Sequence, residues 1–171
     1  MKHVMHDLET LSLKPNAVIV SLGAVVFTKD GTLDTFYQPI SLRQPDRHLD
    51  HSTITWWMGQ PLEAREVFMQ PNGSLHAVLS MYAEFLYRNN LDGGIWANGA
   101  DFDNVVLTDA YQYCDMAVPW NYSKSRCYRT IRGLYPEIQL PFSGTRHNAL
   151  ADAMHQAKHL LKIAKEKDLP L

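Results

Sequence analysis

The 171-residue sequence is poor in the features that mark several large protein classes. It has two cysteines, Cys114 and Cys127, and no Cys-x-x-Cys or Cys/His zinc spacing. A disulfide framework is therefore excluded, and free thiols in a reducing cytoplasm are expected. No apolar run approaches the ~20 residues of a membrane span, and Met1-Lys2-His3 opens no signal core, so no membrane partner is expected. Charge of neither sign dominates: 16 Lys plus Arg against 18 Asp plus Glu gives a net −2. A global basic field for nucleic acid is absent, so any such partner must be held by a local patch or by metal ions. A GxxxxGK[ST] loop is missing, which excludes a P-loop hydrolase, and so is a GxSxG nucleophile elbow.

The hydrophobic content, 46% with 20% charged residues, suits a packed core, and the length suits a single domain over 1–171. Residues 17–27 (AVIVSLGAVVF) form a nearly continuous β-branched apolar run, expected as a strand buried on both faces. Lys29-Asp30-Gly31 turns it into a third, antiparallel strand over Leu33 to Ile40. Short helices are expected from Thr53 to Met58, capped by Ser52, and from Leu62 to Met69. A longer amphipathic helix starts at the Ser74 cap, and a short central strand is expected over Gly94 to Asn98. Asp101 or a neighbour starts the next helix, with Val105, Val106, Ala110 and Tyr113 as its apolar positions. Further helices are expected over Arg126 to Leu134 and Asn148 to Lys167. The order implies an α/β fold, a mixed sheet of about five strands with helices on both faces.

Three acidic groups could carry chemistry. Met5-His6-Asp7-Leu8-Glu9-Thr10 reads as a strand, so Asp7 and Glu9 share one face while His6 and Leu8 share the other. Two carboxylates so placed repel unless a cation lies between them, and oxygen ligands suit hard divalent ions. Asp101 and Asp103 fall where the central strand passes into a helix, a position that capping alone can explain. Asp152 lies early in an otherwise apolar helix face, following Arg146-His147-Asn148. A rival grouping is His155 and His159, one turn apart with Asp152 nearby, but no third nitrogen or sulfur ligand accompanies it.

Taken in order, Asp7-Leu8-Glu9-Thr10, then Asn98 with Phe102-Asp103, then His147-Asn148-Ala149-Leu150-Ala151-Asp152-Ala153 resemble the three motifs of the DEDDh 3′–5′ exonucleases. The likeness spans Met5 to about Leu160 and is nearest to short single-domain exonucleases of phage and prophage type. It implies an RNase H-like fold and a two-metal phosphodiester hydrolase that releases 5′-mononucleotides from single-stranded 3′ ends. Asp7, Glu9, Asp103 and Asp152 would hold two Mg²⁺ or Mn²⁺ ions, and His147 would act as general base. Thr10 and Leu11 would meet the terminal sugar and base, Trp57 or its neighbour Trp56 would stack a base, and Asn98 would reach the sugar. Arg126 and Arg146, in the most basic stretch with Lys124, Arg129 and Arg132, would line the phosphate path. DNA is slightly favoured over RNA as substrate, and a homodimer is a further expectation. A binding module without turnover and a nucleotide pyrophosphohydrolase are the alternatives.

Overall fold

A computed structural model describes residues 1–171. Five strands form one sheet in the order β3-β2-β1-β4-β5: β1 His3–Thr10, β2 Ile19–Thr28, β3 Gly31–Pro39, β4 Ile95–Ala97 and β5 Ser125–Cys127. β1 pairs antiparallel with β2 and parallel with β4, so the sheet is mixed, as expected.

The helices are α1 His51–Met58, α2 Leu62–Arg65 (continued by a 3₁₀ turn, Glu66–Met69), α3 Leu75–Arg88, α4 Asp103–Tyr113, α5 Tyr128–Leu134 and α6 Ala149–Lys167. α3 and α4 cover one face, where Val4 and Leu8 of β1 join Val78, Tyr82, Val106 and Tyr111. α5 and α6 cover the other, where Met5 joins Tyr128, Ala153, Ala157 and Leu160. Strand alternation thus sends Asp7 and Glu9 to the α6 face, while His6 and Leu8 point to the α3/α4 face. None of the helices is long and apolar enough to cross a membrane.

Several local expectations need correction. Asp50, not Ser52, caps α1, accepting from the Thr53 amide at 3.1 Å. The inward face of α4 is Val106, Leu107, Ala110 and Tyr111, with Val105 and Tyr113 turned outward. Arg126 lies on a strand rather than in a helix, because residues 125–127 find backbone partners on β4.

Two contacts place the acids. Gly23 of β2 lies opposite Asp7, and the first turn of α6 crosses directly over it. A Cβ there would meet Ala149 C and Leu150 N at 2.2 Å. Only glycine lets the helix carrying Asp152 come this close to the strand. On the opposite face, the buried His6 ring contacts the Tyr82 hydroxyl and the Asn104 side-chain oxygen, each at 2.8 Å. Full burial lowers its pKa to about 4, so the ring is a neutral strut tying β1 to α3 and α4.

Candidate active site

Asp7 and Glu9 leave β1 on the same side, and α6 brings Asp152 over them. One carboxylate oxygen from each of the three falls within 4.8 Å of the others. Asp103, the first residue of α4, is buried, and its Oδ1 accepts from the Leu8 amide at 3.1 Å. That amide lies between Asp7 and Glu9 in the chain, so the second acidic motif is bolted to the first. Asp101, the other candidate at this junction, is exposed.

His147 precedes the α6 cap Asn148, whose side chain accepts from the Ala151 amide at 3.0 Å. It has a left-handed backbone, φ 61°. Its ring meets the Trp56 ring edge-on, centroids 4.8 Å apart, beside Trp57. Burial raises the Asp152 carboxyl, and the neighbouring His147, in part through its backbone N–H, opposes that rise. All five residues that the sequence assigned to catalysis therefore gather at the C-terminal end of β1 and the start of α6.

Residues 2–164 match the profile of the family described as the 3′–5′ exoribonuclease Rv2179c-like domain. The chain belongs to this family. No curated protein sequence gives a significant match. Among solved structures, the nuclease domain of 3′hExo, a DEDDh family member bound to rAMP, superposes with a TM-score of 0.70 at 12% identity, covering 99% of this chain and 94% of that one. The zinc-bound E. coli ExoI–ssDNA complex gives 0.73 at 16% identity, covering 97% of this chain and 40% of that one. Cell-death related nuclease 4 gives 0.60 at 12% identity, covering 96% and 64%. At these identities the likeness establishes the fold.

The donor set of this Rv2179c-like exonuclease fits divalent cations. Asp152 Oδ2 is buried with no protein partner. Burial, then repulsion from Asp103, Glu9 and Asp152, holds the Asp7 carboxyl well above the usual range. Burial, then Asp152 and Asp103, pushes Glu9 up to about 8. Burial pushes Asp103 up to about 7 against the donation from Leu8, and raises Asp152 as well. An all-oxygen cluster that cannot comfortably hold its own negative charge suits hard ions such as Mg²⁺ or Mn²⁺. The His155–His159 alternative fails. His159 Nδ1 meets the Tyr128 hydroxyl at 2.6 Å and its Nε2 meets the Ile138 carbonyl at 2.7 Å, leaving no nitrogen for zinc.

These raised values carry a stability prediction. Folding raises Glu9 from 4.5 to about 8 and Asp103 from 3.8 to about 7. Between these limits the folded state holds more protons than the unfolded chain, so stability falls as pH rises. The contribution is complete below about pH 4 and is lost as pH rises through about 7 to 8. In EDTA, the melting temperature is expected to be lower at pH 8 than at pH 5, and Mg²⁺ or Mn²⁺ to raise it far more at pH 8. Equal melting at both pH values without metal would contradict this account.

Beside the acids lies a cleft of about 520 Å³ lined by Leu8, Glu9, Thr10, Trp56, Trp57 and Phe102. A larger cleft of about 960 Å³, between the end of α3 and the 117–124 segment, contains none of the four clustered acids. Of the expected substrate residues, Thr10 lines the smaller cleft, its hydroxyl donating to the Ser12 carbonyl at 2.8 Å. Trp57 is 2% exposed and donates its Nε1 to the Thr10 carbonyl at 3.0 Å. It is a core residue that fixes the end of β1; the neighbour with a free face is Trp56, 45% exposed. Leu11 is likewise in the core, packed with Val18, Val20 and Trp57.

Arg126 is also displaced from the expected role. It lies beside His3 and Gly94, at the end of β1 away from the acids, and donates to the Ser123 and Ser125 carbonyls. Arg129 is the arginine nearer the acids: its guanidinium donates to the Asn98 carbonyl at 2.7 Å and its charge is felt by Asp103. Gly99, at φ +121°, makes the room, since a Cβ there would meet Arg129 Nη2 at 3.0 Å. The Asn98 side-chain oxygen is buried without a partner. Arg146 lies over the Phe142 ring, 5.0 Å from its centroid, next to His147 on the rim.

The sequence reading missed Gln156, which donates to Asp7 Oδ1 at 2.8 Å. The available signal was its spacing: one helical turn after Asp152, on the face that α6 turns inward.

Proposed function

We propose that this exonuclease removes nucleotides one at a time from single-stranded 3′ ends, releasing 5′-mononucleotides, with RNA the favoured polymer. The observation that carries the reading is the gathering of Asp7, Glu9 and Asp152 oxygens within 4.8 Å of one another. Asp7, Glu9 and Asp152 would hold one divalent cation, and Asp103 would help to hold a second. When bound, such a pair supplies an activated water and relieves charge on the phosphate and the departing 3′ oxygen. His147, at the rim beside Asp152, takes the proton of the attacking water as general base. Trp56 offers its exposed face to the terminal base, and Thr10 and Phe102 shape the cleft around the nucleotide.

The family's description and the rAMP-bound relative favour RNA over the DNA expected from the sequence, whereas the ExoI complex holds ssDNA. A side-by-side assay on matched 3′-labelled RNA and DNA oligonucleotides, with Mg²⁺ and then Mn²⁺, tests the proposal. Stepwise mononucleotide release, faster on RNA, is expected. Binding without release in either metal, or hydrolysis confined to free nucleoside triphosphates, would reject it.

Phosphate grip gives a second test. Arg129→Ala is expected to raise KM with little change in kcat and to reduce the slope of log KM against log salt by about 0.7, the loss of one phosphate contact on a single strand. Arg126→Ala is expected to leave both unchanged. Indistinguishable salt slopes for the two variants would remove Arg129 from the substrate path.

A further inference from the structure

We propose that Gln156 is the positioning residue of the cation site: its amide captures one oxygen of Asp7 and leaves the other turned toward the cations. The inference rests on the reading above and deepens it.

Gln156 is 5% exposed, in the middle of α6, a costly place for an uncharged amide. Its Nε2 donates to Asp7 Oδ1 at 2.8 Å, while its Oε1 is buried with no partner at all. A side chain kept for packing would not leave an acceptor orphaned, and leucine or methionine would fill the same space without that cost. The amide has one usable orientation, because the reverse would set its oxygen against the carboxylate. The unpaired Oε1 is thus the cost of delivering one donor to Asp7.

Asp7 needs that donor. Its charged neighbours within the site are Glu9, Asp103 and Asp152, all of its own sign. Gln156 is the side chain that donates a hydrogen bond to Asp7. A carboxylate with one oxygen held cannot rotate about its terminal bond, so the second oxygen keeps one direction. The choice of residue type is narrow. Glutamate at position 156 would add another negative charge, and lysine would cancel the charge that attracts the metal. Asparagine lacks the reach across from the helix. Residues that orient metal ligands in this way commonly govern affinity by about 10- to 100-fold.

The test is Mn²⁺ binding by the intact chain, read by electron paramagnetic resonance of free Mn²⁺ and by calorimetry, without substrate. Gln156→Leu and Gln156→Met are expected to bind Mn²⁺ about 10- to 100-fold more weakly than wild type. Methionine, flexible and unbranched, provides the answer if leucine fails to fold. Leu160→Ala, one turn further along α6 and buried among Met5, Tyr128 and Ala157, is the control. It is expected to lower the melting temperature while binding Mn²⁺ normally. In exonuclease assays the Gln156 variants are expected to need more Mn²⁺ for half-maximal rate, with kcat largely restored at saturation. Wild-type Mn²⁺ affinity in both Gln156 variants would overturn the inference, as would a parallel loss in Leu160→Ala, which would mean that packing alone is responsible. A wild-type protein that binds no Mn²⁺ would instead bring down the functional reading itself, and this inference with it.

Discussion

Asp7→Asn is expected to abolish nucleotide release and, at the same time, to make the metal-free protein more heat-resistant. The two effects have one cause. Asp7 is buried among Glu9, Asp103 and Asp152, and its charge is opposed by burial and by all three. An asparagine oxygen still accepts from Gln156, so the packing of α6 on β1 is kept. What disappears is one negative charge from a crowded set. Turnover is expected to fall by at least ~10³-fold, the scale for losing a group that stabilises transition-state charge. In EDTA at pH 8 the melting temperature is expected to rise above that of wild type, and the further rise on adding Mg²⁺ to shrink. Release of labelled mononucleotide together with thermal melts checks both halves. Measurable wild-type turnover would remove Asp7 from the cation site, and a lower metal-free melting temperature would show that the acids are not in mutual conflict.

Gly23→Ala is expected to cripple the enzyme from a position that touches no substrate. The added methyl would lie 2.2 Å from backbone atoms of Ala149 and Leu150. Backbone cannot rotate away as a side chain can, so α6 must back off the sheet or β2 must buckle. Overpacking of this kind costs about 1–3 kcal/mol. Catalysis is the more sensitive readout. His147 and Asp152 flank that first turn, and a misplacement of ~1 Å is enough to cost about 100-fold in rate. The expected result is a folded protein with kcat reduced ~100-fold and with weakened Mn²⁺ binding. A variant with normal rate would mean that the helix accommodates the shift without moving its ligands.

The sequence was legible where a pattern is written locally. Alternation along β1 put Asp7 and Glu9 on one face, and the order of the three motifs named the carboxylates that α4 and α6 deliver. It was illegible where a residue's role is decided by a distant partner. Trp56 and Trp57 are adjacent and chemically alike, and the Thr10 carbonyl together with Leu11, Val18 and Val20 decides which is buried. Residues 125–127 carry too few side chains to announce a strand; pairing with β4 makes them one. On α4, Val105 and Tyr113 offered as good an apolar stripe as Leu107 and Tyr111, and the sheet selected the latter. Arg126 and Arg129 differ only in which end of the sheet their segment reaches. Gln156 reads alone as an ordinary polar helix residue, because its partner lies 149 positions earlier.

That separation has a consequence for biosynthesis. A ribosome that has made β1 and α4 has made Asp7, Glu9 and Asp103, but the centre lacks Asp152 and His147 until α6 and the turn before it emerge. Polypeptides interrupted before that helix hold an incomplete acid set. Joining such remote segments is also slow, since non-local pairing must overcome loop-closure entropy first. The acid cluster is thereby completed only when the last helix docks on the sheet.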